Sequence, residues 1–298
     1  MFKRHFKKCL IGFIAVFAVV LTGCSQLTQA NQNVITLAHT PWDTEIASTY
    51  TLAHVLEDLG YRVNTTSLDV ALMYSAVANG DADATVSAWL PFSQIGYMPR
   101  FYDDMVDLGP NTEGARNGIV VPAYMEDTNS LEDLDDQANQ EIIGIEPGSG
   151  MSALTEDTME AYPNLADWEH VTSSTGGMLI ELENALRSQE EIVVGLWTPH
   201  WAFLEHDLKF LDDPRGSMGG GEDIITFARE GLAEEDPVAN SVIDNFSWSI
   251  EDLTLVMNDL NKGLTAEEAA AKYVENNPDK VAQWTEEARA MIEEQESE

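Results

Sequence analysis

The apolar and polar positions of the chain fall into short strand-like and helix-like runs. Residues 34–39 (Val-Ile-Thr-Leu-Ala-His) form a compact apolar run that predicts a buried strand. Over 46–59 apolar residues recur near helical spacing until Gly60 stops them. Residues 61–68 alternate like a strand, 70–78 form a short helical stretch ended by Gly80, and 84–88 predict a further strand leading into Trp89. This strand–helix–strand–helix–strand series with short connections predicts an α/β fold built on an open, mostly parallel sheet. The pattern restarts later. A strand over 141–145 runs into Pro147-Gly148-Ser149-Gly150 and a helix from about 152 to 161, 179–187 read as helix, and 192–196 form an apolar strand ending at Trp197. A second α/β unit therefore begins near residue 120. The extended apolar stretches 118–124 and 223–228 bracket it and read as two crossovers between lobes. Helical patterns over 250–260 and 266–292 are expected to pack back on the first lobe. The expected division is 33–118 plus 226–298 for lobe one and 119–225 for lobe two.

The N-terminus changes the picture of where this body resides. Lys3, Arg4, Lys7 and Lys8 precede an apolar stretch over 10–21, short for a membrane span, which ends in Leu21-Thr22-Gly23-Cys24. Small residues directly before a cysteine are the lipoprotein-processing pattern. Residues 1–23 are thus expected to be a signal peptide, Cys24 the lipidated N-terminus, and the polar stretch 24–32 a tether holding a folded body off the outer face of the cell membrane. Of the two cysteines, Cys9 leaves with the signal, so neither a disulfide nor a cysteine metal site is expected. The formal net charge is −37, with 52 Asp and Glu against 15 Lys and Arg. Such acidity repels phosphate and excludes nucleic acid as a partner. It suits strong screening in a salty habitat, or simple solubility.

Candidate chemistry centres on tryptophans. Trp42 lies in Thr40-Pro41-Trp42-Asp43, Trp89 in Ala88-Trp89-Leu90-Pro91, and Trp197 in Leu196-Trp197-Thr198-Pro199-His200-Trp201. Each follows or ends a strand-like run beside a proline. In open α/β sheets the ligand crevice lies beyond the carboxyl ends of strands, so rings from both expected lobes converge there. A quaternary ammonium donates no hydrogen bond and is held by aromatic faces, about 1–2 kcal/mol each. Three rings alone give binding on the order of millimolar once association costs are counted, so a second anchor is needed. The segment Gly148-Ser149-Gly150-Met151-Ser152 precedes a helix, and its N–H groups suit a carboxylate. Cage plus nest describes a small zwitterion, a betaine.

On these residues the chain resembles, over nearly its whole length past the tether, the glycine betaine/proline betaine substrate-binding lipoproteins of ABC importers. The resemblance is carried by Pro41-Trp42-Asp43-Thr44-Glu45-Ile46-Ala47-Ser48-Thr49, Ser87-Ala88-Trp89-Leu90-Pro91, Gly144-Ile145-Glu146-Pro147-Gly148-Ser149-Gly150 and Trp197-Thr198-Pro199-His200-Trp201. It implies a two-lobed clamp with two crossover strands, of the type II periplasmic-binding-protein kind. It also implies an ammonium cage of Trp42, Trp89 and Trp197, carboxylate contacts from the amides of Gly150 and Met151, and an ABC permease with its ATPase as partners. The family often places a His five residues after the Trp of Ala-Trp-Leu-Pro; here Gln94 stands there, a donor without charge.

Other readings stay in play at this level. Trp168, Trp201, Trp248 and Trp284 read as packing, with Trp201 placed to support the cage wall and His200 to orient it. Asp43 and Glu45 read as caps of the helix that follows, or as rim charges. The His residues lack metal-ligand spacing, and Gly219-Gly220-Gly221 has no Lys-Ser or Lys-Thr after it and reads as a surface turn. No cofactor is expected. An anchored hydrolase would require Ser149 or Ser152 with a His and an Asp, but no Gly-x-Ser-x-Gly elbow occurs. Carnitine, choline and dimethylsulfoniopropionate remain alternative ligands, and a sensory ligand module an alternative role.

Overall fold

The structure is a computed structural model that describes residues 34–297. The expected signal peptide, tether and lipidated Cys24 lie outside the described residues.

The first half of the chain begins β1 (Val34–His39), α1 (Asp43–Asp58), β2 (Arg62–Ser67), α2 (Val70–Ala78), β3 (Ala84–Leu90), a single turn α3 (Met98–Phe101) and the long β4 (Met105–Pro122). There follow β5 (Glu141–Ile143), α4 (Gly150–Ala161), β6 (Glu169–Val171), α5 (Thr175–Ser188), β7 (Val194–Thr198), α6 (Ala202–Glu205) and β8 (Leu208–Phe210). The chain returns through β9 (Gly221–Arg229) and finishes in α7 (Leu232–Glu235), α8 (Pro237–Asn245), α9 (Ile250–Asn261), α10 (Ala266–Asn276) and α11 (Pro278–Ser297).

Among the described residues the strands make one sheet in the order β2-β1-β3-β9-β4-β7-β5-β6, with β8 on β4. β1 runs parallel to β3, and β5 runs parallel to both β6 and β7. These two groups are joined by antiparallel pairing of β3 with β9, β9 with β4, and β4 with β7. The stretches expected as crossovers are β4 and β9, which pair with each other. β4 starts thirteen residues before the expected 118, because its first part does not alternate. Its register against β9 slips at Asp107/Gly109, Pro110/Thr112 and Thr112/Ala115, with Gly109 and Gly114 at positive φ. Bulges of this kind hide a strand from a period-two reading.

Two helical layers cover the first half of the sheet. Ile35 and Leu37 of β1, with Ile224 and Ala228 of β9, face the core shared with Ala47, Leu52, Val55 and Leu56 of α1. Ala38 and Phe227 point to the other face, against Val70, Met73, Tyr74 and Val77 of α2. α1 in turn packs on α9 and α10, so the C-terminal helices lie over the first half as expected. The pattern over 266–292 resolves into two helices because Pro278 opens the second. Trp248 and Trp284 close this region with Phe246 and Tyr273, ring centroids 4.8–6.4 Å apart. Such burial stabilises by about 1.5–3 kcal/mol per side chain. No described helix is long and apolar enough to cross a membrane.

Candidate ligand-binding site

One small cavity is lined by Trp42, Trp89 and Trp197 together with Glu45, Ser93, Gln94, Asn117, Ile145, Ser149, Gly150 and Met151. The three rings singled out in the sequence meet here. Trp89 is the penultimate residue of β3 and Trp197 that of β7; Trp42 stands as N-cap of α1, just past β1.

Each indole N–H is fixed by an acceptor remote in sequence. Trp89 Nε1 donates to Glu45 Oε1 at 2.6 Å, Trp197 Nε1 to Thr44 Oγ1 at 2.9 Å, and Trp42 Nε1 to Glu146 Oε2 at 3.2 Å. Behind the cage, Trp201 Nε1 donates to Asp43 Oδ2 at 2.9 Å. The first turn of α1 therefore holds three of these four rings. This corrects the capping expectation: the N-cap is Trp42, without a side-chain cap bond, and Asp43 and Glu45 orient indoles instead. Burial raises the Asp43 carboxyl above its usual range, partly offset by Trp201. It pushes Glu45 up to about 8 against the opposing bond from Trp89. Burial would also raise Glu146, but hydrogen bonds from the backbone and side chain of Thr175 and from Trp42 outweigh it and hold that carboxyl below its usual value.

The wall that carries the expected carboxylate contacts, Gly150 and Met151, is the N-terminus of α4. Ser149 is the N-cap and its hydroxyl accepts from Ser152 N, so the helix starts two residues earlier than the periodicity indicated. Gly150 and Met151 become its first residues, whose N–H groups have no carbonyl a turn back to pair with. A Cβ at Gly150 would collide with the Ser93 carbonyl across the cleft. The loop after β3 is held from behind by buried Glu222 of β9, which accepts from Phe92 N (2.7 Å), Ser93 N (2.5 Å), the Ser93 hydroxyl and Asn117 Nδ2 (2.7 Å). Asn117 Nδ2 also reaches Ser93 Oγ at 2.6 Å.

Gln94 lines the cavity, its Oε1 taking the Tyr74 hydroxyl at 2.5 Å and its Nε2 facing Ser87 O at 3.5 Å. His200 is not among the lining residues. It packs edge-on against Trp197 and tilted on Trp201, and its Nδ1 accepts from Ala202 N. Burial pulls its pKa down to about 3, so it is a neutral spacer behind the wall. The Ser149 hydroxyl donates to Ser152 Oγ and the Ser152 hydroxyl to the Glu146 carbonyl, with no His partner among the described residues. The Gly219–Gly221 turn lies on Phe92, where a Cβ at 219 would come within 2.6 Å of the ring. Ser93, Asn117, Ile145 and the acceptor role of Glu45 were not read from the sequence. Ser93 adjoins Gln94 in the loop that follows Trp89, but Asn117 is brought in only by the bulged strand.

A sheet whose two parallel groups are joined by antiparallel strands, with a small ring-walled cavity fed from both groups, is the construction of a two-lobed solute-binding protein. The family described as "Substrate binding domain of ABC-type glycine betaine transport system" matches residues 33–276. The glycine betaine/carnitine transport binding protein GbuC of Listeria monocytogenes is 47% identical over 155 residues, spanning 51% of this chain and 51% of that protein, about half its length. The crystal structure of lactococcal OpuAC, closed and liganded with glycine betaine, superposes with a TM-score of 0.83 at 43% identity, covering 85% of this chain and 99% of that one. An ABC-transporter choline-binding protein in complex with choline gives a TM-score of 0.76 at 27% identity over 84% of this chain and 91% of that one. The chain belongs to the family of substrate-binding domains of ABC-type glycine betaine transport systems.

Proposed function

We propose that the protein captures glycine betaine between its lobes and delivers it to an ABC permease, powered by that permease's ATPase. The observation that carries this reading is the meeting of Trp42, Trp89 and Trp197 with the free amides of Gly150 and Met151 on one cavity. The rings take the trimethylammonium group, the amides the carboxylate. Capture closes the clamp about β4 and β9, with 33–118 plus 226–298 moving against 119–225. Three cross-cleft bonds support this: Trp197 to Thr44, Trp201 to Asp43, and Trp42 to Glu146. The N-terminal pattern supports cleavage after residue 23 and attachment through lipid on Cys24, with the body on the extracytoplasmic face.

Titration of glycine betaine against the intrinsic tryptophan fluorescence tests the reading. Binding is expected in the micromolar range, roughly −8 kcal/mol. Trp89→Ala or Trp197→Ala is expected to weaken it by at least roughly 30-fold, and Trp248→Ala, buried away from the cavity, far less. Equal losses at all three would remove the cage. Choline, which has no carboxylate for the α4 amides, is expected to bind more weakly; a stronger choline complex would reassign the cargo.

A further inference from the structure

Among the described residues Glu45 is the one acid in the cavity wall, and its environment is unusual. It is 1% exposed. Its Oε1 accepts from Trp89 Nε1 at 2.6 Å, while Oε2 is buried without any hydrogen-bond partner. A carboxylate left in this state forfeits its hydration, and the Trp89 donor and its own backbone N–H do not make up for it, so the neutral acid is favoured as long as the cavity holds no positive charge. A cation among the same rings reverses that balance.

Resting on the betaine reading above, we propose that Glu45 is the counter-charge of the cage: it gives up its proton when the ligand cation enters and takes it back when the cation leaves, so that each capture releases one proton to solvent. The Glu45 O–H bond breaks, the proton passes to a buffer base, and the carboxylate that remains pairs with the ammonium. No oxidant or further reactant is involved.

The surroundings leave this role to Glu45. On its own helix Asp43 is the other charge acting on it, and it raises the carboxyl further. From β3 it meets only the uncharged Trp89. β2, α8, α9 and α10 also pack on α1, and no charge from them acts on Glu45. Glu146 is committed to Thr175 and Trp42, and Glu222 to Phe92, Ser93 and Asn117. His200 is held neutral behind Trp197. No Lys or Arg is among the lining residues. With the empty-state carboxyl raised to about 8, the group is protonated at neutral pH and available to respond.

The test is calorimetric titration of glycine betaine at pH 7 in phosphate and in Tris, whose ionisation heats differ, so that the change in apparent heat counts protons. Nearly one proton released per ligand is expected at pH 7, falling toward none by pH 9.5, where the empty cage is already ionised. Affinity is expected to rise up to tenfold per pH unit as pH climbs toward about 8 and then level off. Glu45→Gln keeps the acceptor for Trp89 but carries no proton to release; it is expected to bind more weakly, with zero proton count and a flat pH profile. A wild-type count of zero at pH 7 with tight binding intact would overturn the proposal and leave the betaine reading standing. The same count in the Gln variant would also overturn it. If that variant does not fold, the wild-type count and its decline by pH 9.5 decide alone. Absence of any binding heat would remove the ligand reading and this proposal together.

Discussion

At the scale of single residues, the site is governed by where indole N–H groups find acceptors. A buried indole without one loses a hydrogen bond worth about 1–3 kcal/mol, and the Asp43-Thr44-Glu45 run satisfies three. His200 completes the wall by a different route. Wedged between Trp197 and Trp201, it stays neutral because a proton there would be stranded away from water. The consequence for stability has a definite sign. The unfolded chain binds a proton at His200 near its ordinary 6.5, the folded chain only near 3, so the stability this residue contributes is complete above about 6.5 and is lost as pH falls through that window. Urea unfolding at pH 7 and pH 4.5 checks this. Replacing His200 with Asn, which retains an acceptor for Ala202 N, is expected to remove about 2–3 kcal/mol of the wild-type loss between those pH values. An identical pH response in both proteins would place a charged imidazole inside the fold.

At the scale of elements, strands and helices of regular period were legible from the sequence and irregular ones were not. β1, α2 and α9 lie nearly where the pattern puts them: β1 is a short apolar run buried on both faces, and α2 and α9 each bury one apolar face, with a clean stop such as Gly80 after α2. The first half of β4 is hidden by its bulges, and α8 is marked in the sequence only by its Asp236 cap and Pro237 start. The same divide runs through the site. Strand-end tryptophans beside prolines are visible one-dimensionally. The partners that aim them are not: Trp197 and Thr44 are 153 residues apart, and Ser93 and Glu222 are 129 apart. Acids in a first helical turn read as caps until the fold shows which donors face them. Gly150 of α4 meets the Ser93 carbonyl so closely that a methyl group cannot be accommodated. Gly150→Ala is therefore expected to hold the lobes apart, leaving unfolding temperature within a few degrees of wild type while betaine affinity falls by roughly 100-fold or more. Unchanged affinity in calorimetry would show that closure does not use this contact.

At the scale of the whole molecule, the acidity and the cavity answer to different demands. The formal charge of −37 is spread over a surface with few cations to offset it. Of these, Arg229 is taken up by Asp83 and Glu235, while Arg116 lies over Phe210 and Arg215 over Tyr162. Salt screens that outer field within about 8 Å at physiological strength and about 3 Å at 1 M. The ring faces and α4 amides line a recessed cavity partly shielded from solvent, so capture of a net-neutral zwitterion is expected to depend little on the outer charge. On the proposed reading, capture is decided by the cation itself, held by indole faces contributed by both halves of the sheet. Calorimetric titration of glycine betaine beside 3,3-dimethylbutanoate, the same shape with carbon in place of the charged nitrogen, isolates that term. Micromolar binding of the betaine with the carbon analogue weaker by at least roughly 100-fold is the expected result; equal affinities would mean that the rings enclose a shape and not a charge.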